Sequence, residues 1–168
     1  IASHLISAGG KRLRPVFTII GSQVGNDKVA TEEAIAGGIS CELVHLGSLY
    51  HDDVMDESDL RRGVETVNAR WGNLQAILAG DFLLAKASEI AASLGTEVAG
   101  LLARTIGRLC EGQIEELRHT YNVARTVDSY LDSIDGKTAA LYSTAARIGG
   151  LVAGHDHAVV DALTAYGT

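Results

Sequence analysis

With 168 residues, 46% hydrophobic side chains and a single proline, Pro15, the chain is long enough to bury a core without disulfides or a structural metal, and its helix interiors escape their strongest breaker. The formal net charge of −7, with no Lys/Arg-rich tract, excludes a general nucleic-acid binder, because phosphate contact needs clustered cations. Any phosphate binding must therefore be local, and the expected fold class is all-α.

Helical periodicity predicts about six or seven helices with short connections. The first runs through IASHLIS and stops at Gly9-Gly10. The second takes Pro15 in its first turn and continues through VFTIIGSQV to Gly25-Asn26. A long third helix starts near Thr31, with Glu32 and Glu33 well placed against the helix dipole, and extends through HDDVMD. Its apolar positions Ile35, Ile39, Leu43, Leu46 and Leu49 or Tyr50 recur at threes and fours and mark its core face. SDLRRGVETVNARWG reads as a loop. NLQAILAGDFLLAKASEIAASL and TEVAGLLARTIGRLCEGQIEELRHTY form the next two helices. TVDSYLDSIDGKTAALYSTAARIGGLVAG supplies two more, with a weak point at Gly136, and DHAVVDALTAYGT closes the series.

The longest apolar stretch, Ala76 to Leu94, contains Asp81, Lys86 and Glu89 and is too charged to span a bilayer. Cys41 and Cys110 lie among small or apolar neighbours in helical patterns and read as reduced, buried thiols of a cytoplasmic protein. No repeat, low-complexity tract or linker appears, so residues 1–168 are expected to form a single helical domain. The last segment has no finishing feature, and the natural fold is expected to continue past Thr168.

The chemistry concentrates in YHDDVMDESDLRRG, residues 50 to 63, which holds five carboxylates and two guanidinium groups. Asp52 and Asp56 are four apart and share a helix face at a C-terminus, where mutual repulsion and the helix dipole both disfavour anions. The arrangement costs stability unless a cation occupies it, and few carboxylates with no other donors suit Mg²⁺, which keeps waters and substrate phosphate oxygens. A solvated acidic helix end is the plain alternative. Against it stand Arg61 and Arg62 and a second cluster, Lys11, Arg12 and Arg14 in GGKRLRP. Acids for a metal flanked by bases for phosphate are what a diphosphate site needs.

GGKRLRP, HLGSLYHDDVMDESDLRRG, LAGDFL, EGQ and GKTAAL stand in the order and approximate spacing of the trans-isoprenyl (polyprenyl) diphosphate synthases, and the chain resembles that family over essentially its whole length. The resemblance implies a helical bundle of the isoprenoid synthase type, of which this chain is the N-terminal portion, and Mg²⁺-dependent condensation of isopentenyl diphosphate with an allylic diphosphate to an all-trans product. Lys11, Arg14, His45 and Arg62 would bind isopentenyl diphosphate. Arg61, Lys137 and Thr138 would bind the allylic diphosphate, and Asp52, Asp53 and Asp56 would hold Mg²⁺. The catalytic set would be Asp52, Asp53, Arg61 and Lys137. The family is usually dimeric, so a homodimer is expected, although no interface stripe is legible in the sequence.

Taken without the resemblance, His45 reads as an ordinary core histidine, Lys137 as a solvated lysine at a kink and Gln113 as a surface amide. His51 is a neighbour of the acids and not an expected ligand, and Asp81 is expected to be paired internally. Gly47 and Ser48 lie upstream of Asp52, where short-chain members place a bulky aromatic; both are small here, implying an open tunnel and a long product. The family's second aspartate-rich motif is absent, since Asp156 and Asp161 are the only acids after Thr138 and are too far apart; it is expected beyond Thr168. A non-catalytic partner subunit of a heteromeric prenyl synthase is the alternative, though such a subunit would be expected to have lost these residues. A terpene cyclase would not need the second cationic cluster.

Overall fold

The computed structural model describes residues 1–25 and 29–168; Asn26, expected at the end of the second helix, lies outside the described residues. Nine α-helical segments are found among the described residues: α1 His4–Ser7, α2 Leu13–Gln23, α3 Glu32–Met55, α4 Val67–Trp71, α5 Asn73–Ser93, α6 Thr96–Arg118, α7 Val127–Ile134, α8 Ala140–Val152 and α9 His157–Gly167. A π-helical turn, Asp135–Ala139, joins α7 to α8 at the weak point expected around Gly136. The class is all-α, with one small hairpin of β1, Leu60–Arg61, and β2, Val64–Glu65.

α3 is the central element, packed against α5, α2 and α8. Thr31 caps it by accepting from the Ala34 amide at 3.2 Å, with Glu32 and Glu33 in the first turn. The expected core face is only half right. Leu46, Leu49 and Tyr50 are buried, but Ile35 and Ile39 are each 45% exposed, and the N-terminal half of the helix buries Ala34, Gly37, Gly38, Cys41 and Val44 instead. The reason is close approach. A Cβ on Gly38 would stand 2.9 Å from the Pro15 Cα, so small residues face α2, and periodicity of the large residues points the other way.

Two apolar clusters hold this frame. One joins Cys41, Val44, Ala87, Leu102, Leu141 and Ile148 across α3, α5, α6 and α8. The other joins Leu5, Leu46, Tyr50, Val67 and Leu83 around the α1 end. Tyr50 is fully buried; its hydroxyl accepts from the Leu5 amide at 3.3 Å and lies 3.1 and 3.0 Å from the Ile1 and Ala2 carbonyls, to one of which it donates.

The segment expected to be a loop is ordered. Arg62 and Gly63 both have positive φ, 54° and 79°, as the centre of a two-residue turn whose register pairs Leu60 with Glu65 and Arg61 with Val64. Thr66 then caps α4 by accepting from the Ala69 amide at 3.3 Å. Periodicity over so short a span carries no signal, whereas the Arg-Gly turn and the Thr cap do.

Candidate active site

Two cavities open beside the C-terminal half of α3. The larger, about 700 Å³, is walled by Ser48, Leu49 and Asp52 of α3, Ile77 of α5, Leu109, Cys110, Gln113, Ile114 and Leu117 of α6, and Lys137 and Thr138 of the π-turn, with Arg61 reaching in from the hairpin. The smaller, about 490 Å³, is bounded by Lys11, Arg12, Arg14, Glu42, His45, Arg62 and Tyr142. Arg14 and His45 line both and form the partition.

The four residues expected for isopentenyl diphosphate, Lys11, Arg14, His45 and Arg62, all line the smaller cavity. Arg14 is buried, stacks over the Tyr142 ring at 4.5 Å, and leaves its Nε without a hydrogen-bond partner. Burial pulls its proton affinity below the ordinary arginine value. A buried guanidinium with an unmet N–H is suited to an anionic partner. His45 is pushed down to about 3 by burial and then by the charges of Arg14, Arg62, Arg61 and Arg12, so it is neutral at pH 7. Arg12 turns back to Glu42, donating to Oε1 at 2.9 Å, and to the Ile6 carbonyl at 2.7 Å. Arg62 Nη1 donates to the Gly9 carbonyl, tying the hairpin to the GGKRLRP loop. Both Arg12 and Arg62 adopt left-handed backbone, of the kind that gathers at functional sites.

Of the acids, Asp52 lines the larger cavity, and its carboxyl titrates above the ordinary value chiefly through burial, with Lys137 opposing and Asp56 adding to the shift. Asp56 is exposed at the C-cap of α3. Asp53 does not line the cavity: it is 1% exposed, accepts from Arg61 Nε at 2.6 Å, and keeps Oδ2 buried without a partner. Burial again raises its carboxyl, against the Arg61 hydrogen bond. Asn68 Nδ2 donates to the Asp53 and Ser58 carbonyls at 3.2 and 3.0 Å and fastens the end of α3 to α4.

Among the described residues no three of His, Cys, Asp and Glu assemble into a metal cage. Mg²⁺ asks for less, one or two carboxylates completed by waters and phosphate oxygens. Asp52, with Asp56 one turn on raising its proton affinity, fits that requirement.

Lys137 and Thr138 stand opposite Asp52, with Lys137 Nζ donating to Glu116 Oε2 at 2.6 Å. Ser48 lines the cavity, but Gly47 faces α5, where a Cβ would lie 3.0 Å from the Gly80 carbonyl. His51 also lines the cavity; its Nε2 donates to the Ile77 carbonyl at 3.2 Å and lies 3.3 Å from Asp81, giving Asp81 its partner on the rim. Cys41 is buried and its thiol pushed up to about 12, whereas Cys110 is exposed on the cavity wall and not a core thiol. Its neighbours Leu109 and Ile114 also line the cavity, and Leu109 packs against the core as well, so apolar neighbours do not tell a cavity wall from a core position.

The fold and the two cavities define an all-α protein of the isoprenoid synthase type. The profile of the Polyprenyl synthetase family matches residues 1–168, and the chain belongs to that family. It is 44% identical over 98% of its length to a nonaprenyl diphosphate synthase of Mycobacterium tuberculosis, covering 49% of that protein, and 40% identical over 99% to heptaprenyl diphosphate synthase component 2 of Geobacillus stearothermophilus, covering 52%. Among solved structures it is similar to a decaprenyl diphosphate synthase from Rhodobacter capsulatus, with a TM-score of 0.92 and 40% identity over 98% of this chain and 50% of that one. A polyprenyl synthase from Caulobacter crescentus, solved with calcium and isoprenyl diphosphate, gives a TM-score of 0.93 at 37% identity over 99% of this chain and 50% of that one. The chain spans about half the length of the curated relatives it matches.

Proposed function

We propose that the protein to which this chain belongs is a prenyltransferase that joins isopentenyl diphosphate head-to-tail to an allylic diphosphate and releases a long all-trans polyprenyl diphosphate. The observation that carries the reading is the shared Arg14–His45 partition between a cationic cavity and one lined by Asp52, Arg61 and Lys137 together with many apolar side chains. Two anionic substrates can lie side by side across such a partition, one of them with an apolar tail.

On this reading Lys11, Arg14 and Arg62 bind the diphosphate of isopentenyl diphosphate, and neutral His45 adds a hydrogen bond without competing charge. Arg61, Lys137 and Thr138 bind the allylic diphosphate, and Asp52 and Asp56 hold Mg²⁺; Asp53 acts on Arg61, which it orients. When bound, Mg²⁺ supplies charge neutralisation of the departing diphosphate. Arg61 and Lys137 stabilise the same developing charge as the allylic carbon–oxygen bond breaks and the diphosphate leaves, the double bond of isopentenyl diphosphate attacks the cationic carbon, and the departed diphosphate takes up the proton whose loss restores a double bond. Leu49, Ile77, Leu109, Ile114 and Leu117 exclude water from the cation and receive the growing chain.

Leu74, Leu78 and Phe82 form an exposed apolar row on α5, 79, 67 and 53% accessible, which favours a homodimer joined through this helix. The name of the Geobacillus relative, a component 2, favours a second reading, assembly with a different chain. No helix among the described residues is long and apolar enough to cross a membrane.

Incubating the complete protein with isopentenyl diphosphate, farnesyl diphosphate and Mg²⁺, and chromatographing the products, tests the proposal. Incorporation into long products supports it, turnover only with a co-expressed companion supports the heteromeric reading, and no incorporation in either case overturns both.

A further inference from the structure

The π-helical turn Asp135–Ala139 is seated on α6 at three positions one turn apart. Arg108 pairs with Asp135. A Cβ on Gly112 would come within 2.6 Å of the Lys137 amide nitrogen and 3.0 Å of the Gly136 carbonyl carbon, so backbone lies directly on backbone there. Glu116 then receives the Lys137 ammonium at 2.6 Å. Residues 108, 112 and 116 share one face of α6 and engage, respectively, Asp135, the Gly136–Lys137 peptide and the Lys137 side chain. Isolated π-turns are rare and concentrate at functional sites.

Lys137 thereby stands between two carboxylates. Glu116 holds it directly, and Asp52 lines the same cavity as Lys137. The two paired side chains keep 32 and 46% exposure, so Lys137–Glu116 is a solvated ion pair, weak enough to yield to a multiply charged anion.

We propose that Glu116 is a positioning residue that holds the Lys137 ammonium at the cavity rim in the free protein and competes with the incoming diphosphate for it, thereby setting the affinity of that end of the site. Its carboxylate keeps Lys137 extended and ready, at the cost of part of its binding strength. The inference rests on reading this cavity as the allylic diphosphate site.

Calorimetric titration of the complete protein with inorganic diphosphate in excess Mg²⁺ tests it. Glu116→Gln binds diphosphate about two- to fivefold more tightly than the parent, matching the strength of an exposed ion pair. The gain vanishes in a Lys137→Ala background. Glu115→Gln, which removes the same charge one residue away where it pairs with His119 and Arg118, gives no gain. In steady state Glu116→Gln lowers KM for the allylic substrate without raising kcat. Unchanged or weaker diphosphate binding by Glu116→Gln, a gain that persists without Lys137, or an equal gain from Glu115→Gln overturns the proposal. Diphosphate binding without isopentenyl diphosphate turnover overturns the prenyltransfer reading instead and leaves the Glu116 result intact.

Discussion

Asp53 and Arg61 are joined by a 2.6 Å hydrogen bond that buries the carboxylate and turns the guanidinium toward the larger cavity. Asp52, its chain neighbour, faces the cavity, so consecutive aspartates on α3 have separate surroundings. Asp52→Ala is expected to raise the Mg²⁺ concentration needed for half-maximal turnover by an order of magnitude or more. Asp53→Asn is expected to lower stability by about 1–3 kcal/mol and raise KM for the allylic substrate, with a much smaller change in Mg²⁺ demand. Mg²⁺ titration of turnover, with thermal melting alongside, checks this; an equal rise in Mg²⁺ demand for both variants refutes the division.

Ser48 and Gly47 separate in the same way. Ser48→Phe projects into the cavity and is expected to shorten the product by at least one isoprene unit. Gly47→Phe drives a ring into Gly80 and Leu84 of α5 and is expected to cost about 1–3 kcal/mol or more of stability. Product chromatography and melting temperature report the two outcomes, and an unchanged chain length in Ser48→Phe counts against an open tunnel at this residue.

His45 gives stability a pH dependence of defined sign. Its imidazole titrates near 6.5 when unfolded and about 3 in the fold, so the unfolded chain binds more protons between those values. Stability is therefore fully present above about pH 6.5 and falls as the pH drops toward 3, with a slope of up to about 1.4 kcal/mol per pH unit from this residue. His45→Gln should flatten the melting temperature between pH 6.5 and 4.5; the same slope in the variant would assign it to other groups.

Cys110 is the accessible thiol of the pair. A small alkylating reagent is expected to modify Cys110 in the folded protein, block turnover, and be slowed by saturating allylic diphosphate, whereas Cys41 reacts only after unfolding. Peptide mass spectrometry with and without substrate checks this, and rapid native labelling of Cys41 contradicts it.

Much of the molecule is legible in its sequence. Helices α1 to α3 and α5 to α9 follow from apolar periodicity, the Thr31 cap and the near absence of proline, because those are local free energies that a short window contains. The cationic residues of GGKRLRP and RRG and the acids of α3 were legible as chemistry, since so much charge in an apolar chain needs a reason. The short hairpin and α4 were missed because their signals are a turn and a cap, not a period.

The sequence by itself determined the helical class, the charged residues that line the two cavities, and their order along the chain. Only the tertiary structure decided that Asp53 serves Arg61, that Gly47 seats α5 while Ser48 looks into the cavity, that Cys110 is exposed, and that Lys137 rests on Glu116, 21 positions away. The physical reason is common to all four. Composition and periodicity report which residues are apolar or charged, but the facing of a side chain within a crowded helix depends on how closely its neighbours approach, and that distance is set by residues far away in the chain.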